Sequence, residues 1–204
     1  KVELYNEQQF DTQLEKHTEK MQKRTISAAH LKKMQEGKNE LVFKKAQFVV
    51  GENAWKRAQN PHSRDRASFV PPLNKLLQES GRLILVQDGK APDELKEIID
   101  FFESEGHTPG QMHTLVKGQK QTLVYAGDLI PGSAWVHLPI TMGYDRYPEK
   151  LIEEKEKLYQ SFADKNLKIF FTHDPIYAMG ELEKSEKGKY QVKDKKENFK
   201  QMEI

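Results

Sequence analysis

Residues 105–131, EGHTPGQMHTLVKGQKQTLVYAGDLIP, decide how this 204-residue chain is read. Two short apolar runs, 112–116 and 122–125, are separated by Lys117-Gly118, which is the pattern of a β-hairpin. Before the first run, Gly106-His107-Thr108-Pro109-Gly110 holds one histidine in a tight loop between two glycines. After the second run, Gly127-Asp128 delivers a carboxylate at a strand tip. Further along, residues 167–172 read as another strand, which ends on His173-Asp174. Two imidazoles and a carboxylate therefore stand at strand ends or in a strand-flanking loop. Those groups suit zinc, iron or manganese. Taken singly, each has a plainer reading: a turn histidine, a turn-capping aspartate, and a histidine closing a core strand.

In that order, the GHTPG loop (106–110), the GDL strand end (127–129) and the FTHD strand end (171–174) resemble the later metal motifs of the metallo-β-lactamase-fold hydrolases. Residues 128–147, DLIPGSAWVHLPITMGYDRY, are similar to one broad branch of bacterial hydrolases with that fold. The resemblance runs from Phe43 to the C-terminus, and it is specific for the superfamily but not for the substrate. It implies an α+β protein, an αββα sandwich of the metallo-β-lactamase type, incomplete in its N-terminal half. It also implies two metal ions at one end of the sandwich, zinc first, with manganese or iron(II) as alternatives. Residue by residue, His107 would complete the first metal's histidine set, Asp128 would bridge and serve catalysis, and His173 would bind the second metal. Metal-held hydroxide would then attack an ester, lactone, thioester, amide or phosphoester, the metal having brought the pKa of its water to about 7.

The superfamily's first metal motif, HxHxDH, does not occur in the 204 residues. Of the seven histidines only His17 and His30 precede residue 62, and no His-x-His pair exists. A segment is expected to be missing between Thr25 and Leu31, together with the opening strands of the fold. Two expectations follow. Either the protein is a hydrolase and this chain lacks part of it, or it is a non-catalytic binding or structural module with a vestigial site.

Outside the deciding stretch, residues 1–38 are polar and read as two helical pieces, the first with Phe10, Leu14 and Met21 near one face, the second over 28–35. They are taken as part of a single domain whose metallo-β-lactamase-like portion spans 39–204. Residues 46–50 read as a short strand, 52–59 and 72–79 as helices, and 83–86 as a strand. Over 92–102, Leu95, Ile98, Ile99 and Phe102 have helical spacing, yet the resemblance implies a strand leading into the GHTPG loop. The expectation is a turn at 92–95 and a strand over 98–104. Residues 135–147 form an aromatic loop, which suggests a partly apolar pocket wall suited to small esters or lactones. Pro148 opens the clearest helix, with Leu151, Lys155, Leu158 and Tyr159 on one side. Residues 177–182 and 189–192 read as a final strand pair.

The remaining polar candidates take plain readings here. His113 is expected to face solvent or a neighbour, His137 to line the aromatic loop, and Asp174 to be structural. His62 sits in the Arg64-Asp65-Arg66 loop, which reads as an ion-pair cluster.

Lys and Arg total 33 against 31 Asp and Glu, a net charge of +2, so no general basic field favours nucleic acid. The expected partner is a small-molecule substrate, with no nucleic acid and no membrane. The oligomeric state is open. There is no cysteine, so disulfides and thiolate metal sites are excluded. No apolar run approaches a membrane span. Cytoplasmic residence is the default expectation, although the chain begins at Lys1 and so says nothing about a targeting segment.

Overall fold

The computed structural model describes residues 31–33, 39–41, 43–119, 121–163 and 166–198. The helix expected over the first pieces and the break expected before Leu31 lie outside these residues. Where helix was expected over 28–35, Leu31–Lys33 (β1) is instead a strand, paired antiparallel with Asn39–Leu41 (β2). Backbone pairing across the hairpin outweighs the local helical preference.

Phe48–Gly51 (β3) lies parallel to Leu83–Val86 (β4). Parallel neighbours need a crossover connection, supplied here by two helices, Glu52–Gln59 (α1) and Pro71–Glu79 (α2). Leu41, Phe48 and Leu77 form the small core under this unit, with Trp55, Leu73 and Leu76 packed on it.

The main sheet has six strands in the order β10-β9-β8-β7-β6-β5. They are Ile99–Ser104 (β5), Gln111–Lys117 (β6), Thr122–Tyr125 (β7), Leu167–Phe170 (β8), Met179–Lys184 (β9) and Tyr190–Lys196 (β10). Every neighbouring pair is antiparallel except β7 and β8, which are joined by the crossover helix Pro148–Ser161 (α3). Residues 92–98 form a turn and β5 follows, so the helical spacing there yields to six consecutive pairings with β6. Leu151, Leu158 and Tyr159 of α3 pack with Val124, Leu167 and Ile169 in the main core. On β6, Met112 abuts Gly51, bringing the small parallel unit against the main sheet. The described residues thus carry α+β architecture, with a six-stranded sheet between α3 and the smaller β3–β4 unit.

Strand register sets up the site. Ser104 pairs with Gln111, Thr114 with Tyr125, and Tyr125 with Phe170. The β5–β6 loop, the exit from β7 and the exit from β8 therefore emerge at one end of the sheet. His107, Asp128 and His173 lie on those three segments. Among the described residues no helix is long and apolar enough to cross a membrane.

Candidate metal centre

Each of the three segments has its own reason for stopping where it does. Beyond β7 the chain turns into a short 3-10 helix, Gly127–Leu129, entered through Gly127 at φ +50, a left-handed conformation that costs glycine little. Leu129 and Ile130 are buried directly afterwards, which pins the turn and holds Asp128 at its surface. The β8 exit is tied to the same turn by Thr172 Oγ1, which donates to the Gly127 carbonyl at 3.2 Å. His173 N–H donates to the Pro131 carbonyl at 2.9 Å. The GHTPG loop closes on Gly110 at φ +79, where a side chain would strike the backbone of Asn53 and Ala54.

The three sequence-predicted residues meet. His173 Nε2 lies 2.9 Å from Asp128 Oδ1, and His107 Nε2 lies 3.5 Å from Asp128 Oδ2. One carboxylate thus offers a separate oxygen to each imidazole. Burial pushes the Asp128 carboxyl up, but the His173 hydrogen bond and the imidazoles around it outweigh that and hold the group below its ordinary range.

A fourth residue, Asp145, is not visible as a site residue in the sequence. Its buried carboxylate accepts from His107 Nδ1 through Oδ1 at 2.8 Å and from the Met142 N–H through Oδ2 at 2.6 Å. With Nδ1 carrying the proton, Nε2 presents its lone pair to the Asp128 side, the orientation that a carboxylate imposes on a metal-ligating histidine. The only sequence signal for it is that it is the one carboxylate in the aromatic loop 135–147. Tyr144, 65% exposed, stands edge-on to the His107 ring at 5.8 Å between centroids. Burial and the neighbouring Asp128 and Asp145 charges raise its phenol above the ordinary value.

Four of the plainer readings are now sharpened. His113 does not face solvent: it is fully buried, stacks on Phe102 at 4.6 Å and shares a 2.7 Å hydrogen bond between Nε2 and Ser104 Oγ. Burial pushes it down to about 4, so the ring is neutral. Cross-strand pairing of Phe102 with His113 forces this inward direction, which residue type alone does not convey. Asp174 is structural, accepting from Ser133 N–H and Oγ and from the Ile176 and Tyr177 N–H groups. Asp65 is an ion-pair residue, but its partners are Arg57 at 2.5 Å and Arg146 at 4.0 Å rather than its neighbours in sequence. His137 is half-buried, with a buried, unpartnered Nδ1.

The donors fit a metal in kind: two imidazoles, one of them oriented by a buried carboxylate, and a carboxylate shared between them. Gln111 Nε2 adjoins Asp128 Oδ2 at 3.4 Å, and the same side chain's Oε1 is buried without a partner. In number the donors fit less well. Among the described residues, no three His, Cys, Asp or Glu side chains close around a single ion. The arrangement is two half-sites, each with one imidazole and one carboxylate oxygen.

No protein-family profile and no curated protein matches the chain. Solved structures do. A probable metal-dependent hydrolase from Staphylococcus aureus superposes with a TM-score of 0.64 at 24% identity, over 76% of this chain and 55% of that one. AidC, a dizinc quorum-quenching lactonase in complex with its acyl-homoserine product, superposes at 0.59 and 20% identity, over 76% and 56%. The hydrolase AbOPH, of the β-lactamase superfamily, superposes at 0.58 and 19%, over 72% and 54%. This chain has the metallo-β-lactamase fold. It spans little more than half the length of those three structures. The convergence of strand ends on Asp128 is thus seen in a chain with this fold, reached without the HxHxDH segment.

Proposed function

We propose that the protein is a metal-dependent hydrolase acting on a small ester, lactone, thioester or amide. The observation that carries this reading is the division of Asp128, one oxygen toward His107 and the other toward His173. His107, Asp128 and His173 would hold the metal. Zinc, or manganese or iron(II), would supply there a Lewis acid and a water acidified toward neutrality. What the chain's own residues do is position. Asp145 keeps the His107 proton on Nδ1, and Asp128 spans the two half-sites. Tyr144 offers an exposed aromatic wall beside His107, against which an apolar acyl or lactone group can rest. Support for a small-molecule substrate comes from the fold neighbour AidC, which is described in complex with such a product.

One observation favours a second reading, a non-catalytic module: the absence of any three-ligand set among the described residues. Both readings are tested by comparing this chain with a version carrying an HxHxDH-bearing segment inserted between residues 25 and 31. Metal content and hydrolysis of an ester and lactone panel are measured on each. The chain alone is expected to bind zinc weakly and turn over little, since zinc sites use at least three protein ligands. The restored chain is expected to retain metal and hydrolyse substrate until a chelator is added. Two metals and full turnover in the chain alone would overturn the ligand assignment. An inert, metal-loaded restored chain would favour the module.

A further inference from the structure

Helix α3 carries two consecutive charged residues whose side chains leave the helix and grip the two loops that meet at His107. Glu154 spreads its carboxylate over two successive backbone donors, accepting from the Glu105 N–H at 2.7 Å and the Gly106 N–H at 3.0 Å. Gly106 is pressed so closely onto the helix that a Cβ there would collide with Leu151 Cβ and lie 2.5 Å from Leu151 Cα. On its other side the same loop is held by the chain just before the helix. Tyr147 N–H donates to the Gly106 carbonyl at 2.8 Å, and Arg146 N–H donates to the His107 carbonyl at 3.2 Å.

Lys155 is fully buried, a rare place for an ammonium group. Its Nζ donates to three carbonyls, those of Trp135, His137 and Ile140, each at 2.9 Å. An ammonium has three N–H donors, and all three are used. Taking a cation out of water is costly unless every donor finds an acceptor, so the loop must wrap around this group for the fold to tolerate it. Burial lowers Lys155 to about 8, so the group carries its charge at neutral pH. The loop it gathers continues into Met142 and Asp145, the pair that orients the His107 ring.

We propose that Glu154 and Lys155 are positioning residues that aim His107 Nε2 at Asp128, Glu154 by fixing the backbone of the His107 loop and Lys155 by acting as an internal cation that folds the loop bearing Asp145. Neither touches His107. The proposal takes from the functional reading only the assignment of His107 as a ligand. A merely structural pair of residues would contribute stability without changing how the imidazole stands.

The experiment uses the full metal-free chain, wild type and the variants Glu154→Gln and Lys155→Met, with Lys155→Arg as a conservative control. The tautomer of His107 is read from its ring-nitrogen chemical shifts by NMR, assigned with His107→Gln. Cobalt(II) titration gives affinity, and urea denaturation reports stability separately. Wild type is expected to show one tautomer, protonated at Nδ1. Glu154→Gln and Lys155→Met are expected to show mixed tautomers and a loss of cobalt(II) affinity of roughly tenfold or more, the scale seen when groups behind a metal ligand are removed. Lys155→Arg is expected to retain part of the ordering. Should Lys155→Met fail to fold, Glu154→Gln decides alone, because it removes only one acceptor from a half-buried side chain. A folded Glu154→Gln variant with an unchanged His107 tautomer would overturn the proposal. The tautomer readout needs neither metal nor turnover. A chain restored with HxHxDH that is inert with metal bound, together with a single wild-type His107 tautomer and mixed tautomers in Glu154→Gln, would therefore refute the functional reading and leave this one standing.

Discussion

Acid should destabilise this protein through His113 in a way that a single substitution removes. The imidazole is completely buried, and burial pushes it from an ordinary 6.5 to about 4. Within that window the unfolded chain holds a proton that the folded chain refuses, so stability falls as the pH drops from about 6.5 toward 4. The full span is about 3 kcal/mol, since each pH unit inside the window removes about 1.4 kcal/mol. Between about pH 7 and pH 5 the loss from this one group is about 2 kcal/mol. His113→Gln does not titrate and keeps a polar atom facing Ser104 Oγ, which now pairs with the imidazole at 2.7 Å. Urea denaturation of both proteins at the two pH values isolates the effect, since the other titrating groups are shared. Wild type should lose about 2 kcal/mol more than His113→Gln on acidification. Superimposable pH dependences would show that the ring is not held neutral and that the burial argument is wrong.

Gly106→Ala should cost at least about 1–3 kcal/mol, because the new methyl meets the backbone of α3 rather than a movable side chain; denaturant unfolding measures it, and a neutral result would place the loop away from the helix. Asp145→Ala should free the His107 ring and strand the buried Met142 N–H, lowering zinc affinity about 10–100-fold in a direct titration. Asp174→Ala removes the acceptor for four donors and should cost at least about 2 kcal/mol in urea while leaving zinc affinity unchanged, the opposite pattern to Asp145→Ala. Asp128→Ala in the chain restored with HxHxDH should abolish hydrolysis of every ester and lactone tested, and residual turnover above the metal-free rate would remove Asp128 from the reaction.

The sequence by itself determined the local elements whose signals are short-range. Two short apolar runs around Lys117-Gly118 placed β6 and β7, Pro148 opened α3, and glycines marked the turns around His107 and Asp128. It also named the three residues that meet, because each ends or flanks a strand in a motif with a characteristic neighbourhood. Lys155 was placed on the same side of α3 as Leu151, Leu158 and Tyr159, but its complete burial is a finding of the tertiary structure. Only the tertiary structure decided what depends on pairing between distant segments. The strand expected over 98–104 is there as β5 from Ile99, against the helical spacing of Leu95, Ile98, Ile99 and Phe102, because β6 hydrogen-bonds it, an interaction no local window contains. The same pairing turned His113 inward against Phe102, and the strand 31–33 formed where a helix was expected. Asp145 stayed hidden for a similar reason. Its role lies in a 2.8 Å contact with a histidine 38 positions earlier, through a loop whose shape is set by carbonyls wrapped around a lysine on the next helix.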